Sequence, residues 1–210
     1  SGPTVGDPTT CADALGILDR YLISVPAPSR AALAAGTWES VKPGDRRLAR
    51  SDFHIVAAPQ QSLEAAGRLA AAHGVTPWIV SDRLEGEARI VGRDMAGLVA
   101  DVVREGRPVR PPCLLLSGGE TTVTVRGHGR GGRNVEFLLA FGMELGATGN
   151  VFALAGDTDG IDGMEAIAGA VWRPDTLRRA AALGLDPRRF LENNDAHSFF
   201  GRLGDCVVTG

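Results

Sequence analysis

From about residue 51 the apolar positions alternate between short continuous runs and helical spacing. The run FHIVAAP, residues 53–59, reads as a strand. QSLEAAGRLAAAHG then places Leu63, Ala66, Leu69 and Ala70 on one helical face, with Gly74 just past its end. TPWIVSD reads as the next strand, and EGEARIVGRDMAGLVADVVREG as a long helix with Ala88, Val91, Met95, Leu98 and Val102 inward. CLLLSGGE is a strand. TTVTVR alternates and pairs best as its antiparallel partner, because residues 113–126 hold too little chain for a helical crossover. NVEFLLAFGMELG predicts a helix with Phe137, Phe141 and Leu145 four apart, NVFALAGD a strand, and RPDTLRRAAALG a helix with Pro174 at its start. Two short helices, from Asp186-Pro187 and from Asp195, lead to a last strand, DCVVTG.

The first 50 residues differ. Asp7-Pro8-Thr9 starts a helix carrying Leu15, Leu18 and Leu22, VPAPS ends it, and irregular chain follows with SVKPGDRR as a surface turn. The expected organisation is therefore a helical and irregular segment over 1–50 and an α/β domain over 51–210. The α/β domain is expected to hold a mainly parallel sheet of about six strands, with helices on both faces and one antiparallel pair. In such sheets ligands sit off the carboxyl ends of strands. The phrases SDRLEG, SGGET and AGDTDGIDG all fall at such ends.

Composition narrows the classes. A chain of 210 residues that is 44% hydrophobic can build one substantial core with an appendage. No apolar run approaches the roughly 18–20 residues of a membrane span, and a net charge of −3 argues against a general nucleic-acid surface. Cys11, Cys113 and Cys206 lie far apart without metal spacing and read as reduced thiols of a cytoplasmic protein. Lys42 is the only lysine, and its surroundings exclude a phosphate-binding P-loop. The chain opens on SGPT without an initiator Met and closes on an apolar strand, so a fragment of a longer protein is expected.

The chemistry concentrates in three phrases. GHGRGGRN lies between a strand and a helix, where free N–H groups and positive potential attract anions. Gly129, Gly131, Gly132 and Asn134 would bring backbone close to a phosphate or carboxylate, and Arg130 and Arg133 add bidentate donors. Gly127, Gly129 and Gly132 also form a G-x-G-x-x-G, a weak dinucleotide fingerprint standing outside the first strand–helix turn. AGDTDGIDG sets Asp157, Asp159 and Asp162 in one tight loop, able to hold Mg²⁺ or orient a hydroxyl, or serving turn chemistry alone; it fails the EF-hand pattern. SGGE offers Gly118, Gly119 and Glu120 at another strand end. Asp82 and Glu85 read as helix-capping residues, and His128 as an exposed loop residue. His54, His73 and His197 are scattered. NNDAHSFF reads as an N-capped helix whose Asn193, Asn194 and Asp195 could face a ligand.

SGPTVGDPTT, KPGD, LEGEAR, SGGETTVTVRGHGRGGRN, GDTDGIDG, NNDAHSFF and GDCVVTG together resemble the bacterial glycerate 2-kinase family over essentially the whole chain. The C-terminal part of that family is called MOFRL, here about residues 113–210, and some members carry the name hydroxypyruvate reductase. The resemblance implies transfer of a phosphoryl group from ATP, with Mg²⁺, to D-glycerate, giving 2-phosphoglycerate in a cleft between two α/β domains. It implies a preceding domain that supplies a functional lysine, so that residues 1–50 lead from that domain and this chain alone is inactive. Arg130 and Arg133 would hold phosphate or the glycerate carboxylate, Asp159 with Asp157 or Asp162 would bind Mg²⁺ or glycerate hydroxyls, and Glu120 would be a secondary contact. One departure is visible: Ala166 and Ile167 stand where the family commonly has an Asp. The competing readings are an NAD(P)H-dependent hydroxypyruvate reductase built on the G-x-G-x-x-G, and a non-catalytic substrate-binding or homodimerising half.

Overall fold

A computed structural model describes residues 4–209, so the opening Ser1–Pro3 and Gly210 lie outside the described residues. The chain divides into two compact units, one running to residue 56 and the other from residue 57.

The first unit holds α1 (Cys11–Arg20) and α2 (Ala27–Ala34), then a 3-10 turn at Arg46–Leu48. α1 starts later than Asp7-Pro8-Thr9 implies, because Thr10 and Asp13 form a reciprocal capping box. α2 was not expected. α1 already ends at Arg20, before VPAPS, and the prolines of VPAPS open a second helix, with Pro28 in the first turn, where the missing N–H costs nothing. Glu39 ties this unit together by accepting the Cys11 N–H at 3.0 Å and pairing with Lys42. Those contacts hold its carboxyl down to about 2, with Lys42 the largest cause. A folded pKa below the unfolded one adds stability that is present above the unfolded value and lost as pH falls through the folded one. The Cys11 amide proton is therefore expected to titrate by NMR with a midpoint near 2; a midpoint at the ordinary glutamate value of about 4.3 would remove this contact from the account.

The second unit begins with α3 (Pro59–Ala72), followed by β1 (Thr76–Glu87), α4 (Ala88–Glu105) and β2 (Cys113–Thr122). β1 and β2 pair in parallel with α4 as their crossover. Residues 53–58 are not the expected strand. Among the described residues no strand pairs with them, and Val56 is 89% exposed; a strand without a ladder leaves its backbone groups to water. Residues 85–87 also depart from expectation: they extend β1 against Glu120–Thr122 instead of opening α4.

α5 (Arg133–Leu145) is the centre of the core, with Val135, Leu138, Leu139 and Phe141 buried. Around it lie β3 (Ala153–Gly156), β4 (Gly169–Trp172), α6 (Thr176–Ala182), α7 (Pro187–Glu192), α8 (Ala196–Leu203) and β5 (Cys206–Val207). Trp172, Phe199 and Phe200 close the same core. β4, absent from the expected elements, pairs antiparallel with both β3 and β5.

The architecture is α/β, but the sheet differs from the expected six-stranded one. It is a parallel pair, β1–β2, and a separate antiparallel sheet ordered β3-β4-β5. The crossover argument applies to a different place. Residues 157–168, between β3 and β4, form turns and no helix, and the antiparallel pair forms there. TTVTVR does not fold back on CLLLSGGE. Its first two residues continue β2 parallel to β1, and residues 123–132 form no strand.

Candidate active site

The loop between β2 and α5 is held by groups far away in sequence. Glu87 accepts the Thr124 N–H at 3.0 Å. The Asn194 side-chain oxygen accepts from Arg126 N–H and Gly127 N–H, the Asn193 side chain from His128 N–H, the Asn193 carbonyl from Gly129 N–H, and Asp195 from Arg130 N–H. The loop glycines serve this packing. A Cβ on Gly127 would overlap the Asn193 carbonyl, and one on Gly129 would overlap Asp195. The backbone approach made possible by G-x-G-x-x-G is thus toward the protein's own 193–195 segment.

The helix that follows is capped from within. Asp162, fully buried, accepts from Asn134 N–H at 3.0 Å, from Val135 N–H at 2.9 Å and from the Asn134 side-chain amide at 3.2 Å. These N–H groups are among the orphan donors of the first turn of α5. Gly132 leaves room for that carboxylate. The N–H groups of Gly131, Gly132 and Arg133 have no partner among the described residues. The same three residues line a cavity of about 490 Å³ together with Gly129, Asp157 and Asp159, with Glu136 and Asn194 among its other walls.

Arg133, in the wall of this cavity, pairs with two carboxylates. Its Nη2 and Nε donate to Asp157 at 2.6 and 3.2 Å, and its Nη1 to Glu120 at 2.6 Å. Both carboxylates raise the guanidinium's pKa, Asp157 more. The two pairs differ in burial: the Asp157 side chain is 21% exposed and that of Glu120 79%. Asp159 is exposed and accepts the Ile161 N–H through Oδ1. A second cavity, about 370 Å³, is lined by Gly118, Gly119, Asn134 and Asp157 beside Leu154 and Val207.

The structure therefore brings Arg133, Asp157, Asp159, Glu120 and the glycines of both phrases to one region. It places two other residues elsewhere. Arg130 forms a bidentate pair with Glu165, at 2.9 and 2.5 Å, and does not line the cavity. That pair holds the Glu165 carboxyl below its ordinary value. Asp162 spends its oxygens on α5, and among the described residues no three metal-binding side chains converge. Ala166 is exposed, whereas Ile167 is buried in the core. Glu136, Arg89 and Asn194 had no expected role as a group. They form a buried network behind the loop, and nothing in their spacing signals it because they are brought together from α4, α5 and the α7–α8 junction.

A model of the MOFRL family matches residues 113–210. Along its whole length the chain is 32% identical to the D-glycerate 2-kinase of Thermotoga maritima, covering 49% of that protein. It is 48% identical to an Agrobacterium vitis protein provisionally named a hydroxypyruvate reductase, covering 48% of it. The crystal structure of the Thermotoga maritima glycerate kinase superposes with a TM-score of 0.82 at 32% identity, over 97% of this chain and 48% of that one. The chain spans about half the length of these relatives. The site built on GHGRGGRN and GDTDGIDG lies inside the part of the chain that matches the MOFRL family, residues 113–210, and the chain as a whole is similar in sequence and structure to about half of a glycerate kinase.

Proposed function

We propose that this chain supplies the anion-holding half of an ATP-dependent kinase that phosphorylates D-glycerate to 2-phosphoglycerate. The observation that carries the reading is Arg133, oriented by Asp157, with three unpartnered backbone N–H groups on residues that line the cavity. An exposed ion pair contributes about 0–1 kcal/mol, so an incoming phosphate or carboxylate displaces Glu120 readily. Asp157 takes two bonds from the guanidinium and keeps it aimed. In the reaction a glycerate hydroxyl oxygen bonds to the γ-phosphorus and gives up its proton to solvent, while the bridging P–O bond breaks and ADP leaves with that bond's electron pair. Catalysis of that step is mainly positioning and charge stabilisation, which a pre-aimed guanidinium and fixed N–H dipoles provide.

Asp157 and Asp159 fit a magnesium ion carried with the nucleotide, since each keeps a carboxylate oxygen without a hydrogen-bond partner among the described residues. Mg²⁺ commonly takes only one or two protein carboxylates beside phosphate oxygens and water. When bound, the ion would offset phosphate charge. Asp162 does not fit that role, because its oxygens are committed to the α5 N–H groups. The setting this reading implies is a cytoplasmic enzyme with glycerate and nucleotide as its small-molecule partners.

The reductase reading rests on the name of the Agrobacterium vitis relative and on G-x-G-x-x-G. The filling of the Gly127 and Gly129 approach by residues 193–195 weighs against a pyrophosphate there. The full-length protein is expected to form 2-phosphoglycerate from ATP and D-glycerate, and this chain alone to turn over no faster than background. Oxidation of NADH by hydroxypyruvate in the full-length protein, with no ATP-dependent product, would replace the kinase reading. Kinase turnover by the isolated chain would end the claim that it is only half of the site.

A further inference from the structure

We propose that Asn194 is a positioning residue for the arginine loop: its carboxamide, oriented by Glu136 and Arg89, sets the backbone from which Arg133 reaches the cavity. The inference rests on the kinase reading for its activity readout and on the loop geometry alone for its structural one.

Asn194 is 6% exposed and has φ +51°, one residue beyond the C-cap of α7. A left-handed residue at that point of a helix end is ordinary, and glycine or asparagine fills it. The backbone alone therefore needs no carboxamide. The side chain nevertheless uses its hydrogen-bonding capacity fully. Oδ1 accepts from Arg126 N–H at 2.8 Å and Gly127 N–H at 3.0 Å, while Nδ2 donates to Glu136 Oε2 at 2.8 Å and to the Thr124 carbonyl at 3.4 Å.

Its orientation is determined by its neighbours. Glu136 is buried and salt-bridged to Arg89 at 2.7 Å, so its carboxylate offers acceptors only. The amide nitrogen must face Glu136, which turns the oxygen onto the loop N–H groups. A flipped amide would set oxygen against carboxylate and leave two loop donors facing an NH₂ group. Arg89 also donates to the Leu191 carbonyl at 3.1 Å, joining the end of α7 to the same network. Three elements thus converge on one amide, and both Asn194 and Glu136 form part of the wall of the cavity that Arg133 lines. Small misplacements of such groups can cost about 100-fold in rate.

Asn194→Gly separates the two roles, because glycine keeps the left-handed backbone and loses only the amide. In the full-length protein we expect the Arg126 and Gly127 amides to exchange hydrogen at least about 10-fold faster, and kcat/KM for glycerate to fall about 100-fold. If Asn194 is only a helix-end residue, exchange at those amides and kcat/KM stay within about twofold of wild type, and the proposal is overturned. The exchange comparison is then repeated with Asn194→Asp, alone and combined with Glu136→Gln. The single change sets two carboxylates together, so its activity is expected to decline as pH rises. The double change exchanges amide and carboxylate, restores the pairs between residues 194 and 136 and to the Arg126 and Gly127 N–H groups, gives up only the long bond to the Thr124 carbonyl, and should recover most of the loss. A double variant no better than Asn194→Asp overturns the proposal, and this comparison decides if the glycine variant does not fold. A wild-type protein without glycerate kinase activity refutes the kinase reading, while amide exchange still decides the role of Asn194.

Discussion

Replacement of Arg133 by alanine is expected to lower kcat/KM for glycerate phosphorylation by the full-length protein about 100- to 1,000-fold, the scale for loss of one pre-aimed donor to developing charge. Thermal stability should change little, because the side chain is partly exposed and one of its two partners is a surface carboxylate. Lysine should not rescue it. A guanidinium donates to Asp157 through two nitrogens and still presents Nη1 outward, whereas an ammonium is a single point charge. Arg130 provides the contrast. Its guanidinium is occupied by Glu165 and lies off the cavity, so Arg130→Ala should cost less than Arg133→Ala. Steady-state kinetics of the two variants in parallel check the ranking. Equal losses would return Arg130 to the substrate.

The second large effect is structural. Asp162→Ala should destabilise the chain by ~3 kcal/mol, combining loss of a helix cap with donors stranded in a fully buried place. For a chain of this size that lowers the melting midpoint by about 6–12 °C. Asp162→Asn keeps one acceptor oxygen and should lose about half as much. Thermal unfolding with and without Mg²⁺ distinguishes a cap from a metal ligand. A cap predicts the same loss in both conditions. A loss seen only in Mg²⁺ would show that Asp162 holds the ion and would undo its assignment to α5.

Helices were legible where their signal is local. α3, α4 and α5 follow from 3.6-residue apolar spacing, and Gly74 and Gly106 mark the ends of the first two. Asp186-Pro187 announced α7 through its cap and first-turn proline. Helix α2 was hidden because proline both ends and begins helices, and the dipeptide does not say which. The phrases that build the site were also legible, since glycine-rich and aspartate-rich runs at strand ends are local features.

Partnerships were not legible. FHIVAAP has a strand's composition and no strand beside it, while GAVW is short and unremarked yet sits between two others. Strand pairing joins residues distant in the chain, so neither outcome is written in the segment itself. The same holds for the charges. Asp157, Asp159 and Asp162 look equivalent along the chain, but the turn after β3 sends the first toward Arg133, the second to the exposed wall of the cavity and the third beneath α5. The sequence by itself determined that glycines would let a backbone come close, and that arginines would stand beside it. Only the tertiary structure decided that Asn193, Asn194, Asp195 and Asp162 fill most of that space. The physical reason is that a buried N–H must find an acceptor, and the acceptor can come from any part of the chain that folding brings near.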